Sequence, residues 1–245
     1  APFFLMEFVE GAILRNKVPK GLTLGGKEFE KLSRSAVDCL VDLHQLELQE
    51  SGLIQLGKPE GFTQRQVTGW VERYFRAKTN ELPELEIAAT WLQENIPSTE
   101  YSAFIHNDFK YDNLVITTTG EVQAVLDWEM AALGDPLMDL SNALAYWVHN
   151  DDPIVLKSIL KQPSDMPGMM RREEIIAHYG DRTGLDTSRW DFYEVYGYWR
   201  LVVILQQLYF RYVNKQTQDV RFANYGQAVS DLGKYCQQLI AKSRL

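Results

Sequence analysis

The segment His106-Asn107-Asp108-Phe109-Lys110-Tyr111-Asp112-Asn113 puts an imidazole, carboxylates, an ammonium and a carboxamide on one short stretch. A second acidic group follows in Leu126-Asp127-Trp128-Glu129. Phosphoryl transfer needs such a set. Its transition state spreads negative charge over the transferred group, which cations and a divalent metal must neutralise. Mg²⁺ takes oxygen ligands, usually one or two from the protein, and leaves the rest to phosphate and water. A further carboxylate must sit beside the acceptor hydroxyl to take or orient its proton. Asp108 suits the base, Lys110 a γ-phosphate contact, and Asn113 with Asp127 the metal.

Each group also has a plainer reading. Asp108 could cap a turn, and Lys110 could be a solvated surface lysine. His106 holds the loop by hydrogen bonds more naturally than it carries protons, since a carboxylate adjoins it. Asp112 is expected to be exposed. Asp135 precedes Pro136 and is placed to cap a helix that Pro opens. Asp139 is expected to brace the loop through backbone amides, and Glu129 to lie at or beside the metal. His44, on an apolar helix face, reads as a satisfied core histidine. Arg200, set among Tyr198, Trp199, Leu201 and Val202, is costly to bury alone and is expected to pair with an acid rather than to reach an anionic substrate. The aromatic residues of 190–212 read as core.

The elements that must carry these groups follow from periodicity. Phe3 to Phe8 reads as a buried strand running into a turn, and the stretch to Gly26 as a connection. Phe29, Leu32, Ala36, Leu40 and Leu43 share one face of a helix over 27–49. Thr63 with Gln66 resembles a capping box. The helix it opens buries Val67, Trp70, Val71, Tyr74 and Phe75. Another helix follows Pro83 with Leu85, Ala88, Ala89 and Leu92. The texture then turns β-rich at 103–106, 113–117 and 122–126, with Thr119-Gly120 as a turn. Helical period returns after Pro136, the stretch 151–170 reads as loop, and long helices occupy roughly 191–213 and 222–242. The result is an α+β fold: a mostly helical body with a small β-hairpin insert, where the unusual polar residues gather.

Composition narrows the partners. With 25 Lys and Arg against 33 Asp and Glu, the net charge is -8, which disfavours nucleic acid or an anionic membrane as the main partner. No apolar run reaches the length of a membrane span. The two cysteines, Cys39 and Cys236, lack metal-ligand spacing and read as free thiols in a reducing compartment. The chain is read as cytoplasmic; a mature organellar protein reads the same.

The pattern H-x-D-x-K-x-x-N, with a downstream Asp beyond a hairpin, resembles the catalytic loop of the protein-kinase-like fold. Asp127 stands in Asp-Trp-Glu, not Asp-Phe-Gly, and Gly134-Asp135-Pro136-Leu137-Met138-Asp139-Leu140 follows. These departures resemble the aminoglycoside phosphotransferase and choline kinase superfamily. Phe4-Leu5-Met6-Glu7-Phe8-Val9-Glu10-Gly11, Arg65-Gln66-Val67 with Trp70, and Val125-Leu126-Asp127-Trp128-Glu129 look like the branch of kinase-like domains fused to, or encoded beside, acyl-CoA dehydrogenases. The resemblance implies ATP as donor, Mg²⁺ as cofactor, and a small-molecule hydroxyl acceptor, with a hydroxyacyl-CoA suggested by the branch. A fused or neighbouring acyl-CoA dehydrogenase is the implied partner.

The resemblance also makes Met6 to Val9 a hinge, with adenine on the backbone of Glu7 and Val9 and with Val115 as floor. It implies an amino-terminal lobe carrying a phosphate-covering loop and a strand Lys. Neither is found, because the Gly25-Gly26 pair lies downstream of the hinge and lacks the spacing. The expected organisation is therefore a hinge strand and linker at 1–20 and a helical carboxyl-terminal lobe at 21–245, with its catalytic loop at 101–140. The fragment alone is expected to be inactive. Two other readings are a kinase-like binding or regulatory module without turnover, and a metal hydrolase using His106, Asp108 and Asp127. The latter lacks further histidines nearby.

Overall fold

The computed structural model describes residues 6–15, 17–98, 101–160 and 162–245. Two small antiparallel sheets sit against a helical body. One has strand order β1 (Ala12–Ile13), β3 (Leu114–Ile116), β4 (Val122–Val125); the other pairs β2 (Ala103–Ile105) with β5 (Ala132–Gly134). β3 and β4 form the expected hairpin, with Leu114 opposite Val125 and Val115 opposite Ala124. Gly120 closes it at φ +85°, where a Cβ would collide with the Glu28 carbonyl oxygen. The hairpin is thereby pressed onto the first helix.

The helices are α1 (Gly26–His44), α2 (Phe62–Ala77), α3 (Pro83–Glu94), α4 (Pro136–Tyr146), α5 (Ile154–Ile159), α6 (Arg172–Thr183), α7 (Trp190–Val213) and α8 (Tyr225–Lys242). α7 is the hub and packs on α2, α3, α4 and α8, while α1 packs on α6. The apolar face read for α3 is buried throughout. In α4 every residue from Pro136 to Ala145 is buried, as expected of a helix enclosed on all sides. Phe192, Tyr193, Tyr196, Tyr198 and Trp199 of α7 are core residues. Both cysteines are free. Among the described residues no helix is long and apolar enough to cross a membrane.

Several expectations are corrected. Residues 3–5 of the Phe3–Phe8 strand lie outside the described residues. Met6 to Phe8 form no strand, and Phe8 is 88% exposed. The chain pairs instead at Ala12–Ile13, where β3 offers a free edge. α1 ends at His44, short of residue 49. Phe75 is half exposed, because the buried stripe of α2 runs Val67, Trp70, Val71, Tyr74 and leaves position 75 off the face. The Thr63 capping box does not form. Gly61, in the left-handed region at φ 66°, precedes α2, and the Thr63 hydroxyl donates to Asp135 Oδ2 at 3.2 Å. β5, α5 and α6 were not read from the sequence: the first two are short, and α6 has only Ile175 and Tyr179 buried.

α7 and α4 meet closely. A Cβ at Gly197 would lie 2.6 Å from the Ser141 backbone oxygen. We expect Gly197→Ala to destabilise the protein by about 1–3 kcal/mol from overpacking against backbone. The gain in helix propensity, about 1 kcal/mol, offsets only part of that. Urea unfolding checks this; a variant as stable as the parent would show that α4 and α7 separate freely.

Candidate active site

The loop from His106 to Asn113 alternates its side chains. Phe109, Tyr111 and Asn113 are buried, whereas Asp108, Lys110 and Asp112 reach partly into solvent. The buried set anchors the loop: Tyr111 stacks on Trp147 at 4.8 Å between ring centroids, and Phe109 approaches the same ring at 6.3 Å. Gln162 fixes the far end, accepting from the Tyr111 amide at 3.0 Å and donating to Asp112 Oδ1 at 2.9 Å. Asp112 is thus half-buried and partnered, not free in solvent as expected.

Three of the proposed site residues form one hydrogen-bonded unit. Lys110 Nζ donates to Asp108 Oδ2 at 2.6 Å, and Asn113 Nδ2 donates to the Asp108 carbonyl at 2.9 Å and to Oδ2 at 3.1 Å. Both atoms that face the Asn113 amide are acceptors, so its nitrogen must point at Asp108 and its oxygen elsewhere. Lys110 also lies 5.5 Å from the centroid of the Tyr146 ring. Burial works against the Lys110 charge, but the Asp108 hydrogen bond and carboxylate outweigh it and hold the ammonium above its ordinary pKa. Burial raises the Tyr146 phenol, which feels the charges of Arg200, Asp108 and Lys110 together.

The residue before Asp127 is tied to this unit by backbone. The Leu126 amide donates to the Asn113 carbonyl at 2.8 Å. His106 makes the second tie: its Nδ1 accepts from the Asp108 amide at 3.2 Å, so Nε2 carries the proton and donates to the Leu126 carbonyl at 2.9 Å. Both ring nitrogens are engaged with backbone, an arrangement that positions the loop. Asp127 follows directly, at φ 69°, in the left-handed region that non-glycine residues seldom adopt. Trp128 holds that turn. Its Nε1 donates to the Val125 carbonyl at 2.8 Å, and its ring stacks on Phe104 and leans on His106. Glu129 is exposed beside it.

Asp139, fully buried in α4, accepts from the His106 amide on Oδ2 and the Asn107 amide on Oδ1, each at 2.8 Å. This is the bracing expected of it. Its remaining donor is His44 Nε2 at 3.1 Å, and the Tyr179 hydroxyl closes the chain on His44 Nδ1 at 2.6 Å. Burial, with the charges of Asp139 and Asp135, raises the Tyr179 phenol and keeps it a donor. Asp135 caps α4 through the Leu137 amide at 2.8 Å and also accepts from the Tyr193 hydroxyl at 2.9 Å. Burial raises its pKa against the opposing pull of those donors.

Among the described residues Arg200 pairs with no acid. Its Nη2 donates to the Asn107 carbonyl at 2.9 Å and its guanidinium lies 5.2 Å from the Trp70 ring centroid. Asn107 is itself left-handed, at φ 67°, and is held on three sides by Asp139, Arg200 and Asn142. Strain of this kind persists where surrounding contacts over-determine it. Arg200, Asn142, Gln162 and Trp128 were not read as site residues. The partners of the first three lie far off in sequence, as do the Phe104 and His106 rings beside Trp128, and only an arginine buried without a nearby acid gave a signal.

The hinge expected at Met6 to Val9 lies among the described residues. Met6 to Glu10 form an irregular, mostly exposed segment leading to Gly11. A Cβ on Gly11 would lie 2.6 Å from Val115 Cγ1, so the segment enters the fold directly over buried Val115.

A helical body with a β-hairpin, whose loop joins Asp108, Lys110 and Asn113 by hydrogen bonds and whose following turn carries Asp127, has the arrangement of the kinase-like phosphotransferase class. Residues 1–175 match the family described as APH, phosphotransferase enzyme family, and the chain belongs to it. Relatives include acyl-CoA dehydrogenase family member 10 of Mus musculus, 30% identical over 98% of this chain, and family member 11 of Homo sapiens, 31% identical over 94%. The chain spans only 22% and 30% of the length of those two proteins. A crystal structure from Ralstonia eutropha JMP134, provisionally described as an aminoglycoside phosphotransferase, superposes with a TM-score of 0.85 at 26% identity, covering 98% of this chain and 73% of that one. A choline/ethanolamine kinase family protein from Mesorhizobium loti shares the fold, with a TM-score of 0.56 at 13% identity, covering 91% of this chain and 68% of that one.

Proposed function

We propose that this chain carries the catalytic loop of a kinase that moves the γ-phosphoryl group of ATP to a small-molecule hydroxyl, with a hydroxyacyl-CoA as the favoured acceptor. The reading rests above all on one observation: Asp108, Lys110 and Asn113 are hydrogen-bonded together, and the backbone beside Asn113 is joined to the residue before Asp127. Family membership and the kinase neighbours support the reaction class. The relatives named for acyl-CoA dehydrogenases support the acceptor class and an associated dehydrogenase.

Asp108 accepts the acceptor's hydroxyl proton as the new O–P bond forms and the bond to ADP breaks. Lys110, already charged and aimed at Asp108, supplies a cation beside the transferred group. Asn113 and Asp127 fit a divalent ion. Neither the Asn113 side-chain oxygen nor the Asp127 carboxylate receives a hydrogen bond among the described residues, so both keep lone pairs for a metal. Mg²⁺, when bound, neutralises charge on the nucleotide phosphates. The backbone of Glu7 and Val9 holds adenine in this proposal, near Met6 and above Val115. Residues 1–20 serve as hinge and linker, and 21–245 as the helical lobe.

Asp127→Ala in the full-length protein tests the metal assignment. Even an outer partner of a metal ligand changes metal affinity about 10–100-fold, so removing the ligand is expected to abolish the Mg-dependent gain in nucleotide binding. Titration of ADP with and without Mg²⁺ reads this directly, and an unchanged Mg²⁺ dependence would remove Asp127 from the site.

A further inference from the structure

A concave surface lies at the carboxyl-terminal ends of α2 and α7, and no residue of the 106–113 loop lines it. It encloses about 340 Å³ and is lined by Arg73, Arg76 and Arg211, with Gln207 and Gln216 among the other residues. Three guanidinium groups on one depression are unexpected in a chain of net charge -8. Their charge is weakly answered. Arg76 has an exposed contact with Glu72 at 3.8 Å, while Arg73 and Arg211 form no ion pair among the described residues. The walls are fixed, because Gln206 Nε2 donates to the Ala77 carbonyl at 2.7 Å and to Thr79 Oγ1 at 3.1 Å, joining the end of α2 to α7.

This depression connects to the catalytic loop through one stack. Arg73 lies 4.7 Å from the Trp70 ring centroid and Arg200 lies 5.2 Å from it. Arg200 in turn holds the Asn107 carbonyl, one residue before Asp108. A guanidinium–indole–guanidinium path thus leads from the proton acceptor to the arginine depression. We infer that Arg73, Arg76 and Arg211 form an anion subsite for a phosphate group carried by the acceptor, remote from the hydroxyl that is phosphorylated. Planar guanidiniums bind phosphate oxygens in pairs, and glutamine amides add neutral donors. The inference rests on the proposed kinase reading only for the acceptor; the anion site stands on the arginines themselves.

A plainer role competes, since Arg76 and Arg211 fall in the last turns of their helices and offset the helix dipoles. Two measurements separate the roles. With ADP and Mg²⁺ saturating to fill the nucleotide site, pyrophosphate binding to the full-length protein is followed by calorimetry for the parent and for Arg73→Gln/Arg211→Gln. Loss of two charge-assisted contacts is expected to weaken binding at least about tenfold. Equal binding in both proteins, or none in the parent, overturns the anion site, including when the variant merely melts earlier. The second measurement compares a hydroxyacyl-CoA with the matching hydroxyacyl-pantetheine, which lacks the phosphates. The variant is expected to raise KM about tenfold or more for the CoA ester only. An equal effect on both esters overturns the acceptor assignment. Absence of turnover with any acceptor counts against the kinase reading, and the pyrophosphate result still decides the anion site.

Discussion

Asp108→Asn in the full-length protein is expected to lower phosphoryl transfer about a hundred- to ten-thousand-fold, the usual worth of a positioned general base. Nucleotide affinity should stay within a few fold. The substitution suits the site because an asparagine oxygen can still accept from Lys110 and from Asn113, which both donate to Asp108 Oδ2. Geometry is kept while the proton acceptor is removed. Lys110 retains the Tyr146 face as a neighbour once its ion pair is gone. Steady-state transfer and nucleotide titration, run side by side, give the answer. Near-normal turnover would mean that the loop carboxylate only orders Lys110 and Asn113, which is the structural alternative. Parallel loss of nucleotide binding would point to a collapsed loop.

Asp139→Asn tests the support beneath the loop and is expected to have the largest combined effect. The carboxylate satisfies three buried donors: the His106 and Asn107 amides and His44 Nε2. An asparagine has one oxygen, so at least one N–H group would face another N–H₂ with no water to relieve it. Leaving a buried donor unmatched costs about 1–3 kcal/mol, with hydrogen bonds to a charged acceptor near the top of that range. We expect a stability loss of about 3 kcal/mol in urea unfolding and a fall in transfer of about a hundredfold or more, since small misplacements of reacting groups cost that much. Hydrogen exchange at the His106 and Asn107 amides should accelerate more than at amides of α7. A variant with normal exchange there and normal turnover would show that α4 does not hold the loop.

Both predictions concern residues whose chemistry was legible in sequence, though to different depths. The spacing of Asp108, Lys110 and Asn113 lies within a loop, and the bonds among them span at most five residues, so a linear pattern carries them. His106 shows the limit. Its type suggested either catalysis or support, and only the hydrogen bonds to the Asp108 amide and Leu126 carbonyl assign it to support. The helix face of α3 was readable because burial there follows the helical period, with Leu85, Ala88 and Leu92 as one stripe, whereas α4 is buried on every side and its apolar positions marked only that a helix is there. Met6 to Phe8 form no strand although the apolar run reaches them, because such a run signals burial only where a partner covers it. The pairing edge lay at Ala12–Ile13.

Sequence alone pointed to the phosphotransferase family, through residue types at short fixed spacing, and to the helical character of most of the chain, through apolar periodicity. Tertiary structure alone decided what those groups lean on. Arg200 reaches Asn107 across 93 positions, His44 reaches Asp139 across 95, and Thr63 leaves its helix end for Asp135 across 72. Such contacts arise when α1, α2 and α7 dock around α4, and their partners are chosen by the packing of whole elements. Local propensity and periodicity report the conformation of a segment and which face it buries, but they carry no record of the residue that will stand opposite.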